Sequence, residues 1–365
     1  MSEEALEREE RAGSLKPVID VIPAAAYENP TWRGMVYFVR DVIIYLVSIV
    51  ALVVVANPLA DVVLDILAVL AVTALFVVAH DCAHGALFNT KRKNSLVGRI
   101  AMLPSWHVFE AWVLGHNRIH HAFTVRQGYD FVWHPVTARE YDDLSRARKL
   151  LHRVEWSWWG TGVYYLKEVW WHKMMVFTPP ARWAKSIRRD RLVTLAFAGV
   201  LAALLAAIGV ARTHSLGGAA WLVLRAEVVP FLGFSAMIGS VVHVHHVAPD
   251  IRWWKRSEWS KFKGQMEGTT VLRVPRGVNF FFHWIMIHSP HHVDMRIPMY
   301  HLEMAARAIE EHYPDVVHDA PLRFRDFRHN TRACKLYDFD AGHWLTYAQA
   351  RATLFTPPTS VSSIL

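Results

Sequence analysis

Cysteine is nearly absent: Cys82 and Cys334 are the only two among 365 residues. Two thiols are too few for a disulfide framework or for a protein-held iron–sulfur cluster, and a reducing compartment is the expectation. Histidine is missing from the whole stretch before His80, although the chain has 22 of them. The start also lacks a basic segment followed by an apolar core, which excludes a secretory signal. With five Glu in its first ten residues, it is too acidic for a transit peptide. Residues 1–40 therefore read as a cytosolic lead-in, partly disordered at first. No internal repeat, low-complexity linker or concentrated basic run is present, so the net charge of +8 does not indicate nucleic acid. Lys and Arg are instead spread around apolar spans, as in the cytoplasmic loops of membrane proteins.

Long hydrophobic runs are what the chain has in place of these features. Its apolar content is 53%, above the roughly 45–50% of soluble domains, and its 16 Trp suit a lipid–water boundary. Four spans are expected, at residues 42–59, 62–79, 192–210 and 221–242, each near the ~20 residues that a bilayer core requires. Asn57-Pro58 breaks the first from the second, so these two form a tight antiparallel hairpin without Lys or Arg at its tip. Arg225 and Glu227 lie in the outer third of the fourth span, where they pair or reach the far interface. Residues 96–114 are apolar but carry Arg99 and Glu110, so they read as a surface or re-entrant segment. Residues 156–172, with five Trp, read as an interfacial belt. Four spans put both termini on one side, and Lys91-Arg92-Lys93 marks that side as cytoplasmic. The predicted fold is an all-α membrane protein, with four transmembrane helices and a cytosolic helical cap. A lead-in (1–40) and a tail (314–365) flank a central domain at 41–313.

Histidine then arrives in clusters: His80 and His84; His116, His120 and His121; His288, His291 and His292. Residues four apart share a helix face, so each i, i+4 pair presents two imidazoles to one metal or to two close ones. An adjacent histidine points about 100° away and serves a different metal. Pro290 fits the first turn of a helix, with His288 just before it. So much imidazole on one membrane face costs repulsion or desolvation without metal or carboxylate partners. Eight ligands exceed the four of one tetrahedral zinc, which implies two metals with open positions and a redox role. Asp81, Asp130 and Asp294 are candidate acceptors for the ring N–H groups that face away from metal.

These clusters resemble the boxes HxxxH, HxxxHH and HxxHH of the membrane fatty acid desaturases. Asn94-Ser95-Leu96-Val97-Gly98-Arg99, Leu103-Pro104, Val244-His245-His246-Val247-Ala248-Pro249 and Arg296-Ile297-Pro298-Met299-Tyr300 are similar to the omega-6 (Δ12) acyl-lipid branch of bacteria and plastids. Trp133-His134-Pro135 departs from it, since that branch often has an acid before the proline. The resemblance implies a non-haem di-iron centre using O2 to place a cis double bond in a fatty acyl chain carried on a lipid, acyl carrier protein or coenzyme A. It also implies a ninth histidine ligand, placed at His246 by the His-His-Val-Ala-Pro run, with His243 and His245 as alternatives. No His-Pro-Gly-Gly haem motif of a fused cytochrome b5 is present, so electrons come from a separate donor, a ferredoxin or a cytochrome b5-like carrier. The implied place is a bacterial inner membrane with the boxes cytoplasmic. A sister acyl hydroxylase, acetylenase or carotenoid-type oxygenase uses the same boxes, and a non-enzymatic metal-binding membrane protein is the more distant rival. A transporter places ionisable residues deep in its spans, and the first three spans show little of that.

Overall fold

The computed structural model describes residues 13–355 apart from residue 56; the acidic start of the lead-in and the end of the tail lie outside the described residues. Four helices are long and apolar enough to cross a membrane: α1 (Thr31–Val54), α2 (Pro58–His84), and, further along the chain, Ala181–Thr213 and Leu216–His246. At 1.5 Å per residue they run roughly 36–50 Å, longer than a ~30 Å hydrocarbon core. Each is therefore longer than the span expected from hydropathy, although the first ends at Val54, short of residue 59, and the second begins at Pro58. The first begins at Thr31 rather than residue 42 because its charged turns find partners in the cap. Asp41, fully buried, takes Arg40 Nε at 2.8 Å and pairs with His283 Nε2 at 2.7 Å. The tip of the first hairpin is a short connection in which Asn57 caps α2, its Oδ1 accepting from Leu59 and Ala60 N–H.

The second helix is the axis of the bundle. Its outer end exposes Leu59, Val62, Val63 and Ile66, while every residue from Ala71 to Cys82 is buried. Gly85, with φ +77°, ends it, a left-handed turn that glycine adopts without strain. The chain then enters the cap through α3 (Lys91–Met102), capped by Thr90. Phe109–Trp112, Val113–His120 and His121–Phe123 follow as one continuous helix, α4. Arg99 ties α3 to both neighbours by pairing with Glu110 of α4 and with Asp190, whose Oδ1 lies 3.0 Å from its Nε. Both charges that bar residues 96–114 from lipid are thus neutralised against protein.

Next come α5 (Arg146–Glu155) and α6, formed by Thr161–Tyr164 and Tyr165–Met175. The third and fourth crossing helices are α7 (Ala181–Thr213) and α8 (Leu216–His246). Arg225 of α8 pairs with Asp61 of α2 and not with Glu227, whose carboxylate has no hydrogen-bond partner among the described residues. Beyond α8 the cap is completed by α9 (Ser289–Val293), α10 (Leu302–His312), α11 (Phe324–Ala333) and α12 (Tyr347–Phe355). Two small sheets join them, a feature that the expectation of helices alone lacks. Strands β1 (Thr270–Arg273) and β2 (His318–Pro321) pair in parallel with Thr270 opposite His318. Strands β3 (Leu336–Asp338) and β4 (His343–Leu345) form an antiparallel hairpin. Three- and four-residue strands carry too little alternation to be read from sequence. The protein is thus predominantly helical, and the segment after residue 313 is packed into the cap: Tyr337 N–H reaches Val136 O at 3.0 Å.

Candidate metal centre

All three histidine boxes meet at one end of the bundle. His80 and His84 lie on the last turn of α2, which continues past the apolar stretch. His116, His120 and His121 come from α4, His246 from the end of α8, and His291 and His292 from α9, with His288 at its N-cap. Eight of the nine are buried and His84 is half-buried. Two groups form. His80, His84, His116, His121 and His291 place ligand nitrogens within 4.8 Å of one another, and His120, His246 and His292 do the same. His288 adjoins the second group, with its Nε2 3.0 Å from Nε2 of His292. His243 and His245 belong to neither. His243 packs on Trp133, and His245 stacks on His288 with its Nδ1 3.3 Å from Thr270 Oγ1.

The division between groups follows from local backbone geometry. Residues 113–120 are wound as a π-helix, with the His121 N–H bonded to His116 O. Residues five apart then stand above one another. His116 and His121 fall in one group, their Nε2 atoms 3.2 Å apart, and His120 turns into the other. In α9, the adjacent His291 and His292 are likewise split, as the 100° step requires.

The ring orientation is compatible with metal ligation. Nε2 of His80 lies 2.8 Å from Nε2 of His116, and Nε2 of His291 lies 3.1 Å from Nε2 of His121. At that separation two ring nitrogens either share a proton or, where both present lone pairs, accommodate a cation between them. Metal–imidazole bonds of about 2.1 Å at right angles put two nitrogens about 3 Å apart. The opposite edges of several rings are held by the protein. His120 Nδ1 donates to Asp130 Oδ1 (3.0 Å), His246 Nδ1 to Gly268 O (3.0 Å) and His292 Nδ1 to Gln265 Oε1 (2.7 Å). Asp130 is fixed in turn by the N–H groups of Val125 and Val132. Burial first, and neighbouring imidazoles second, push His116, His121, His291 and His292 well below the usual histidine range. They are neutral near pH 7, the form that binds metal. The donor set therefore fits a pair of metal ions.

Two of the three expected carboxylate acceptors touch box histidines. Asp130 does so closely, and Asp81 Oδ1 approaches His80 Nδ1 at 3.4 Å while its Oδ2 accepts from Met299 N. Asp294 does not: it takes Arg296 and the Tyr27 hydroxyl, because a guanidinium two residues away outcompetes a more distant ring. Gln265 and Gly268 were not legible as ring acceptors, since a glutamine and a carbonyl carry no spacing signature. An apolar cleft opens onto the imidazoles, walled by Phe76 of α2, Trp112 of α4, Tyr165 of α6, and Ile238 and Val241 of α8. Trp112 stacks on His116, with ring centroids 4.5 Å apart.

The family described as fatty acid desaturase matches residues 56–325. The chain belongs to the fatty acid desaturase family. It is 27% identical over 340 residues to the sn-1 oleoyl-lipid 12-desaturase of Picosynechococcus sp., covering 92% of this chain and 93% of that one. To the protein of the same name from Anabaena variabilis it is 30% identical, over 75% of each chain. To the chloroplastic omega-6 fatty acid desaturase of Glycine max it is 28% identical, over 73% of this chain and 60% of the other. This desaturase is accordingly a membrane oxidoreductase of lipid metabolism that acts on fatty acyl lipids, and its histidine groups are compatible with a di-iron site.

Proposed function

We propose that this desaturase places a cis double bond at the Δ12 (omega-6) position of an acyl chain. In this reading two irons are held by His80, His84, His116, His121 and His291 on one side, and by His120, His246, His288 and His292 on the other. The observation that supports the ligand set is the convergence of the box imidazoles into two groups, backed in the smaller one by outward Nδ1–H bonds. The Δ12 position rests on the printed activities of the cyanobacterial relatives. When bound, the metal pair supplies the O2-dependent redox chemistry that breaking an unactivated C–H bond requires.

The chain's own part is positional. Phe76, Trp112, Ile238 and Val241 exclude water and hold methylenes against the imidazole edge, which converts an encounter into a fixed geometry. Asp130, Gln265 and Gly268 hold the rings of His120, His292 and His246 in one tautomer. No side chain is required as a general acid or base. The domain at 41–313 carries the site, the boxes face the cytoplasm of a bacterial inner membrane, and a separate ferredoxin or cytochrome b5-like carrier brings electrons. The test is the lipid profile of a host expressing the chain with a reducing partner. Loss of two hydrogens at C12–C13 of oleoyl chains is expected; gain of oxygen instead would make the protein a hydroxylase. Chelated protein should regain turnover with ferrous iron, and recovery with zinc alone would overturn the redox assignment.

A further inference from the structure

A cavity of about 580 Å3 reaches the histidine groups without sharing a wall residue with the apolar cleft. The cleft touches His80, His116, His120, His246 and His288, whereas this cavity touches His84 alone among the nine. His84 is also the one ring of the nine that is not fully buried. An acyl chain in the cleft therefore leaves the His84 edge open. The rim of the cavity is basic. Lys91 and Arg118 line it and Arg92 adjoins Lys91; all three are exposed and have no ion pair among the described residues. Arg182 and Lys185, beside the wall residue Trp183, are exposed as well. The one carboxylate on the wall, Glu110, is taken by Arg99. Lys91, Arg92 and Lys93 form the first turn of α3, where the helix dipole disfavours positive charge. The helix that carries them therefore does not account for their place.

We propose that an acidic one-electron carrier docks over this cavity, on Lys91, Arg92 and Arg118, and delivers its electrons at the His84 edge. The inference rests on the reading that a separate carrier reduces the metal pair, and it adds where that carrier binds and the sign of its surface. Desaturation consumes a methylene pair, O2, two electrons and two protons, and yields one double bond and two waters. The carrier is oxidised by one electron per visit, so each turnover takes two visits. Electrons that arrive while the acyl chain is in place cannot pass through the cleft it fills, and the cavity is free for them. A lipid surface fits the patch less well than a protein does. Arg118 stands between His116 and His120 on α4, among the metal-binding rings and not at a helix end beside lipid. Complementary charge around the one open ring raises the encounter rate and sets the orientation of the partner.

The test uses the full-length protein in phosphatidylcholine nanodiscs with two acidic probes, a [2Fe–2S] ferredoxin and the soluble domain of a cytochrome b5. Binding to the metal-free protein is measured first, and needs no turnover. Lys91→Glu combined with Arg118→Glu should raise the Kd of the better probe about ten-fold at low salt, and the difference should shrink as salt screens it. Lys91→Gln with Arg118→Gln should give a smaller rise in the same direction. With iron loaded, the rate at which the reduced probe is reoxidised should fall by the same factor. Reduction by methyl viologen radical, a small cation that needs no acidic docking face, should not fall, which shows the centre intact. Arg325→Glu with Arg332→Glu, on α11 away from the cavity, should change neither quantity. Equal effects from the two charge-reversed pairs, or no binding of either probe to wild type, overturns the proposal. Unchanged probe binding together with lost retention of phosphatidylglycerol would assign the patch to the membrane surface and overturn it too. A wild type that takes electrons from the probe yet leaves oleoyl chains unaltered counts against the Δ12 reading and not against the docking face.

Discussion

The two histidine groups are built differently. In the group of five, the outward nitrogens of His84, His121 and His291 have no hydrogen-bond partner among the described residues, and His80 has only a 3.4 Å approach to Asp81. In the group of three, every ring is anchored: His120 by Asp130, His246 by the Gly268 carbonyl and His292 by Gln265. Gln265 is itself locked, donating to His121 O at 2.8 Å and accepting from the Thr124 hydroxyl at 3.0 Å. One group thus relies on the number of its donors and the other on their orientation. A ligand ring held by a neighbour loses less entropy when metal binds, and its tautomer is set in advance.

The largest expected effect comes from removing one ring in each group. On the proposed ligand set, His246→Ala takes an anchored donor from the smaller group, so one of the two proposed irons should be lost and product should fall below detection. His84→Ala leaves four donors in the larger group, so iron is retained more weakly and some turnover survives. Metal content and product analysis on the two purified variants decide the matter; equal loss of iron in both would erase the contrast.

A milder break removes anchors and keeps ligands. Asp130→Asn, which withdraws the charge behind His120, should cost about 10–100-fold in metal affinity or activity. Asp81→Asn should cost less, because its contact with His80 is long and half of its carboxylate is spent on Met299 N. Titration of iron into metal-free protein measures both, and a larger effect at Asp81 would reverse the ranking. Gln265→Leu leaves the His292 N–H only the Thr124 hydroxyl, 3.3 Å away, and should destabilise the protein by about 1–3 kcal/mol, with Gln265→Glu recovering most of it. Gly98→Ala provides the comparison outside both groups. A Cβ there would overlap the Phe109 ring and come within 2.8 Å of Cys82 Cβ, wedging α3 away from α2 and α4 together. Its cost of ~1–3 kcal/mol should fall on folding, with the two metal affinities changed alike.

What the sequence could and could not reveal follows the same division. Candidate ligands have a signature, because two imidazoles four apart on a helix are visible as letters; so His80/His84 and the second and third boxes stand out. Apolar runs likewise reveal the four crossing helices, though not their ends, which are set by partners such as His283 for Asp41. Winding is a different matter. An α-helical reading puts His116 beside His120, whereas the π-turn puts it beside His121, and nothing in VLGHNRIH announces the extra residue. Anchors are harder still. Gln265 lies 27 residues from the ring it holds and Gly268 acts through its backbone, while Asp294, placed next to a box, is captured by Arg296. Proximity in sequence favoured the wrong acid because a carboxylate takes the nearest full charge before a neutral ring.

The smallest expected effect concerns the strand that backs the anchored group. Thr270 of β1 lies just beyond Gly268 and pairs in register with His318 of β2. The His318 Nδ1 in turn meets Asp250 Oδ2 at 3.0 Å, beyond the end of α8. The hydrogen bond to Asp250 pushes His318 above the usual histidine range, and the same bond holds Asp250 below the usual carboxylate range. The raised histidine contributes stability that is complete below its unfolded value of about 6.5 and is lost as pH rises through the folded one. The depressed carboxylate contributes stability present above about 3.9 and lost as pH falls through its folded value. The pair is therefore at full strength between those limits. Asp250 is 64% exposed, so screening keeps the whole effect below about 1 kcal/mol. Unfolding midpoints across pH 5–9 should decline slightly for wild type above neutrality and stay flat for His318→Gln over the same range. If the slope persists in His318→Gln, the β1–β2 pairing does not transmit this titration, and the anchored group owes its order to Asp130, Gln265 and Gly268 alone.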